Sequence, residues 1–333
     1  MSDTLSRRPP VRVLWGNLSW HSAVVAWRQV DGNGPGPECI EVLREGKKSA
    51  TYRLAGVGPN GSGVIAQRAL AAKAAPERTV YERILPHLAI TAPRYYGARA
   101  ESEGSAFTWL FFEDVGDDRY SDGDTEHRML AARWVADLHT GATHVAAARE
   151  LPEGGPPRYL RYLRASRELL GTLTNPALAA EDLATLHELV ADLGRLDRRW
   201  SWLEAACAGV PATLVHGDLQ RKNTYLRTGG DGPELCAIDW ETAGWGIPAA
   251  DLTRIDLPTY WATVRSAWPA VQLEQVRRLA AVGRVLLQLV AIHWVSPELR
   301  YDSPLYLRRP MSWVRAYHER LGAAVRRLEE ETA

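Results

Sequence analysis

The hydrophobic period of this chain changes once, and that change divides it. From about residue 38 to residue 112 the apolar residues fall in short runs punctuated by glycine; beyond Asp117 they recur mostly at helical spacing. Ile40–Leu43 and Thr51–Leu54 flank REGKKSA, the signature of a hairpin, and the turn GVGPNGSG at 56–63 leads into a strand from Val64 to Ala69. Val80, Ile84 and Leu88 then repeat at i, i+4 and i+8, with Pro76 placed as a first-turn proline and Glu77 at the positive end of the helix dipole. FTWLFF at 107–112 is a short β-prone run and predicts a central strand leaving the sheet. Helical segments follow at about 157–171, 180–207 and from 270 to the end, interrupted by strand-like runs at Ala212–His216 and Leu235–Asp239. The pattern predicts an α+β protein: a small β-rich lobe joined near residues 113–117 to a large helical one.

A length of 333 residues suits two lobes, and no period of 20–50 residues repeats, which excludes solenoids and propellers. Forty basic residues balance forty acidic ones, so there is no electrostatic case for a nucleic acid or a membrane surface as partner. Only four of the basic residues are lysines: Lys47, Lys48, Lys73 and Lys222. Cys39, Cys207 and Cys236 lie far apart without metal-ligand spacing and read as reduced packing residues. MSDTLSRRPP lacks the apolar core of a signal peptide. Leu279–Val295, broken by Arg284, Gln288 and His293, reads as a buried helix, and the expected setting is the cytoplasm.

The stretch LVHGDLQRKNTYL at 214–226, followed by LCAIDWETAGWG at 235–246, carries the chemistry. An aspartate five residues before an asparagine, then a second aspartate on a short apolar strand, has the spacing of a kinase catalytic loop and metal site. Phosphoryl transfer asks for a carboxylate that aligns the attacking hydroxyl and for magnesium held against the phosphates. Asp218 suits the first task. Asn223 and Asp239 offer the hard oxygens that Mg²⁺ prefers.

HGDLxxxN followed by IDWE resembles the aminoglycoside phosphotransferase family, a small-molecule branch of the protein-kinase-like fold, and the likeness extends over most of residues 40–255. The resemblance implies an N-terminal extension at 1–37, a nucleotide-binding N-lobe at 38–115 and a helical C-lobe at 116–333 with the catalytic loop and acceptor site. It makes Asp218 the catalytic base, Asn223 and Asp239 the magnesium ligands, and His216 a buttress of the loop. Asp251 resembles the aspartate that ties a C-lobe helix to the catalytic loop, and His139 reads as a satisfied core histidine. Backbone groups of Glu113 and Val115 are expected at the adenine edge. ATP or GTP is the implied co-substrate.

One residue of the family pattern is missing. Where a strand lysine should contact the phosphates and pair with a helix glutamate, the sequence reads Val64-Ile65-Ala66-Gln67-Arg68. Strand alternation lets only one of Gln67 and Arg68 face the nucleotide. With Gln67 inward, the charge has to come from Lys47, Lys48, Arg221 or Lys222. Glu77, on the inward face of its helix, is the pairing glutamate, whereas Glu82 forms a solvent-face pair with Arg78. The hairpin offers backbone amides at Lys48, Ser49 and Ala50 to phosphate.

The family phosphorylates antibiotic hydroxyls, and its relatives act on choline, homoserine and methylthioribose. The expected acceptor is an antibiotic of aminoglycoside, nucleoside or peptide type, which phosphorylation inactivates to give resistance. A metabolite kinase and a nucleotide-binding pseudokinase are the alternatives. Acidic residues at 117–126 suit a polycation; Trp245, Tyr260, Trp261, Trp268 and Trp294 suit a flat acceptor.

Overall fold

Strand alternation fixes the first unit. In a computed structural model that describes residues 12–32, 34–229 and 232–332, six antiparallel strands run β1 (Arg12–Leu14), β2 (Ile40–Glu45), β3 (Ser49–Leu54), β4 (Val64–Leu70), β5 (Tyr95–Ala100) and β6 (Phe107–Glu113). Their order is β1-β2-β3-β4-β6-β5. On one face Ile40, Tyr52, Leu54, Val64, Ala66, Trp109 and Phe111 form a core with Val24 and Trp27 of helix α1 (Ser22–Asp31). The opposite face meets helix α2 (Ala71–Thr79) and the π-helical turn Val80–Ile84 that continues it. Residues 12–31, for which the sequence offers no motif, therefore supply both an edge strand and a core helix; residues 1–11 lie outside the described residues.

Helix α2 departs from the sequence reading. It begins at Ala71, so Pro76 is interior and Glu77 lies in the last turn. The alanine-rich run AAKAA has the highest intrinsic helix propensity and carries the start upstream. The helix tightness is lost just beyond the proline, where the π-helical turn begins.

The chain's contacts divide it into two units. The first comprises 1–86, 91–119 and 223–241, and the second 87–90, 120–222 and 242–333. The hairpin Thr224–Gly229/Gly232–Ala237 thus returns to the sheet-bearing unit. Leu226 N–H donates to the Asp118 carbonyl at 2.9 Å and Thr91 Oγ1 to Glu234 at 2.8 Å.

The second unit contains α3 (Thr125–Ala142), α4 (Pro156–Gly171), α5 (Ala180–Arg198), α6 (Trp200–Ala206), α7 (Leu257–Val264), α8 (Leu273–Val295) and α9 (Pro304–Thr332). Asp124 caps α3 by accepting from the Glu126 and His127 amides, which satisfies two of its orphan donors. Helix α8 is the spine of the unit, packed against α4, α9 and the turn Ala250–Arg254. A Cβ on its Gly283 would lie 1.9 Å from the Ala249 carbonyl, so that approach needs glycine. Leu273–Arg300 is long and apolar enough to cross a membrane, yet 61% of its most apolar window is buried inside the chain. A short pair, Thr213–Val215 with Gly244–Gly246, presents the loop that follows it.

Candidate active site

The catalytic-loop motif leaves a fully buried strand. Thr213, Leu214 and Val215 are buried, and at Gly217 the backbone turns into the left-handed region at φ +79°. A Cβ at Gly217 would sit 3.0 Å from the Thr242 carbonyl oxygen, a second reason for glycine. Asp251, 2% exposed, holds the turn from behind. Its Oδ2 accepts from His216 N–H at 2.7 Å and its Oδ1 from Gly217 N–H at 2.8 Å. His139 Nε2 lies 3.4 Å from the same Oδ2, and His139 Nδ1 is 2.9 Å from the Tyr260 hydroxyl. Burial alone would raise the Asp251 pKa; the bonds and charges from His139, His216 and Gly217 outweigh it and hold the carboxyl below its usual range.

Beyond this clamp stands Asp218. Its amide donates to His216 Nδ1 at 3.3 Å, so His216 braces the loop from inside. Its carboxylate, about one-fifth exposed, accepts from Gln220 Nε2 on Oδ1 and pairs with Lys222 Nζ at 2.7 Å on Oδ2. The arrangement presents a carboxylate on a backbone that cannot shift without unmaking buried bonds. Arg158 adds to that rigidity: buried itself, it donates to the Thr242 carbonyl at 2.6 Å and to the Ala243 carbonyl at 3.2 Å. No local pattern marks Arg158, whose partners are 84 and 85 positions away.

The sheet-bearing unit holds the other oxygens. Asn223 is buried, and Ile238 N–H donates to its carbonyl at 2.9 Å while Thr224 pairs with Ala237 in the hairpin. That register sets Asn223 beside the residue preceding Asp239. Asp239 adopts φ +67°, a conformation that costs a non-glycine residue about 1 kcal/mol or more and commonly marks functional sites. Among the described residues no three His, Cys, Asp or Glu side chains gather as a metal cluster. One carboxylate and one amide oxygen fit magnesium, which takes its remaining ligands from water and phosphate.

Strand parity resolves the missing lysine. Val64 and Ala66 face α1, so Gln67 faces α2, where its Nε2 donates to Glu77 Oε2 at 3.2 Å. Arg68 falls on the other face, with its guanidinium on Glu101 and 3.6 Å from the centre of the Phe107 ring; it does not point with Gln67. Glu82 pairs with Arg78 at 3.2 Å. Lys48 is exposed at the hairpin tip, and Ser49 opens β3 with its carbonyl bonded to Gly46 N–H. At the linker, Glu113 N–H already donates to the Arg94 carbonyl at 2.8 Å.

Glu77, 1% exposed, also accepts from Trp240 N–H at 3.2 Å. Burial, and after it the charge of Asp239, push its carboxyl from 4.5 up to about 8, against the two donors that favour the carboxylate. A folded-state pKa above the unfolded one means that folding binds a proton. The stability this group contributes is full below pH 4.5 and is lost as pH rises through about 8. Glu77→Gln should flatten that loss, because a flipped Gln67 amide can then offer its oxygen. Urea unfolding in EDTA should show the variant gaining on the parent between pH 5 and 9, by about 3–5 kcal/mol. A difference that is constant with pH would refute the assignment.

Two proposed recruiting features serve the fold at least in part. In the acidic stretch Asp122 pairs with Arg254 and Asp124 caps α3. Of the aromatic set, Tyr260 and Trp268 are buried core.

A unit built on an antiparallel β-sheet and a helical unit that carries the kinase-like loop define an α+β, protein-kinase-like small-molecule phosphotransferase. Residues 40–284, more than two thirds of the sequence, match the phosphotransferase enzyme family, and the chain belongs to it. No curated protein sequence matches. Among solved structures, the GDP and kanamycin complex of an aminoglycoside 2″-phosphotransferase is similar at 16% identity and TM-score 0.56, over 92% of this chain and 96% of that one. Choline kinase from Cryptosporidium parvum is similar at 11% identity and TM-score 0.58, over 88% and 91%. Spectinomycin phosphotransferase with ADP and spectinomycin gives 10% and 0.54, over 86% and 93%.

Proposed function

We propose that this protein transfers the γ-phosphate of ATP or GTP to a hydroxyl of an antibiotic and thereby inactivates it. The observation that carries the reading is the clamped loop: Asp251 fixes His216 and Gly217 so that the Asp218 carboxylate is presented at a defined place. Asp218 accepts the hydroxyl's hydrogen bond and then its proton as the oxygen attacks phosphorus. Asn223 and Asp239 would hold magnesium, which supplies charge neutralisation on the phosphate oxygens. The similarity to proteins solved with kanamycin and with spectinomycin supports an antibiotic acceptor. The similarity to choline kinase, and to an ethanolamine kinase from Plasmodium vivax, favours a metabolite kinase as the second reading. Gln67 in the lysine position suggests a pseudokinase, which the retention of Asp218, Asn223 and Asp239 together opposes. We place the enzyme in the cytoplasm, where nucleotide is available and its three buried free cysteines stay reduced.

Incubation of the purified protein with Mg²⁺, ATP or GTP and a panel of antibiotics, choline, ethanolamine and homoserine decides between the readings. Mass spectrometry is expected to show one antibiotic gaining a single phosphate. Phosphorylation of choline, ethanolamine or homoserine alone would move the assignment to a metabolite kinase. Nucleotide binding without any product would favour the pseudokinase.

A further inference from the structure

Gln67 carries no charge, and its amide is engaged by the buried Glu77. On the reading just given, the transferred phosphoryl group still needs a cation from the protein. Lys47 and Lys48 are exposed at a hairpin tip and Lys73 is exposed in the first turn of α2. Lys222 alone among the four lysines is placed on a carboxylate that the reaction uses, with Nζ 2.7 Å from Asp218 Oδ2.

Distances set by the chemistry make that placement informative. An acceptor oxygen activated by Asp218 sits about 2.6–3.2 Å from its carboxylate, and the phosphorus it attacks is about 3–3.5 Å further on. An ammonium held 2.7 Å from the same carboxylate is then at most about 9 Å from that phosphorus. The flexible four-carbon lysine stem, with 63% of the side chain exposed, can swing from Asp218 to cover that distance. We propose that Lys222 is a catalytic residue that binds the terminal phosphate of the nucleotide, supplying a cation from the catalytic loop itself.

In the step it assists, the acceptor oxygen forms a bond to phosphorus as the bond from phosphorus to the β–γ bridging oxygen breaks. The electron pair of the broken bond stays on the departing diphosphate, and the hydroxyl proton passes to Asp218. Lys222 makes and breaks no covalent bond; it balances charge on the oxygens in flight. The competing account is an exposed i,i+4 ion pair worth less than about 1 kcal/mol and nothing more.

Calorimetry on the full chain with Mg²⁺ separates the two. The probes are adenylyl imidodiphosphate against ADP, and the guanosine pair in parallel, so the test requires no acceptor. Lys222→Met is expected to weaken binding of the triphosphate analogue by about tenfold to a hundredfold, the worth of one charged hydrogen bond. Binding of the diphosphate should change less than twofold, and Lys222→Arg should retain most of the preference. Equal losses for both ligands, or none for either, would overturn the proposal while leaving the kinase reading intact. A parent chain that binds neither nucleotide pair would overturn both.

Discussion

Replacing Asp251 with alanine is expected to lower the unfolding free energy by about 3–5 kcal/mol, the usual loss when a buried charged partner is removed. The residue accepts two backbone N–H bonds and faces His139, all buried with it. Alanine would strand the His216 and Gly217 amides, each at about 1–3 kcal/mol, in a place with little access to water. Phosphoryl transfer should fall below detection in whatever remains folded, since Gly217 would no longer be held in its left-handed turn. Asp251→Asn should cost less, because its oxygen still accepts one amide while its NH₂ opposes the other. The same residue sensitises the parent to acid. Its carboxyl is held below the usual range, so its contribution is present above the unfolded pKa and disappears as pH falls through the folded one. Urea unfolding followed by tryptophan fluorescence measures the three stability effects, and a phosphoryl-transfer assay the fourth. A loss below 1 kcal/mol in the alanine variant would refute the clamp.

What the sequence made legible was whatever is local. The hairpin around REGKKSA appears as β2 and β3, and the FTWLFF run as β6, bonded on both sides in the sheet. The turn from strand to HGD is written in a short apolar run followed by glycine. Strand parity at 67 and 68 was not legible, because alternation says only that the two residues face apart. The side taken is decided by α1, which lies in a segment without a motif. The edge strand β5 reads Tyr-Tyr-Gly-Ala-Arg-Ala, with no residue of it buried, and offers no alternation to detect. Arg158 escapes for another reason: it is one arginine among many, and only the close approach of Thr242 gives it a role. The return of 223–241 to the first unit is likewise a matter of distant pairing, with Glu234 reaching Thr91.

Asp218→Asn should reduce kcat by about a thousandfold, within the range for a lost general base. The substitution is nearly isosteric, and its oxygen can still accept from Gln220 Nε2. Loss of the Lys222 pair costs little stability, since the lysine side chain is 63% exposed and solvent screens the interaction. The melting temperature is therefore expected to stay within a few degrees of the parent. Nucleotide affinity should hold or rise, because a negative charge leaves the neighbourhood of the phosphates and Lys222 is released to them. This pattern of kcat lost, fold kept and nucleotide kept belongs to a residue that acts on the transferring proton. A fall of less than tenfold would mean that the attacking hydroxyl needs no base from this loop. Loss of nucleotide binding with the fold intact would instead make Asp218 a binding residue, and the carboxylate's role in the chemistry would have to be sought in Asp239.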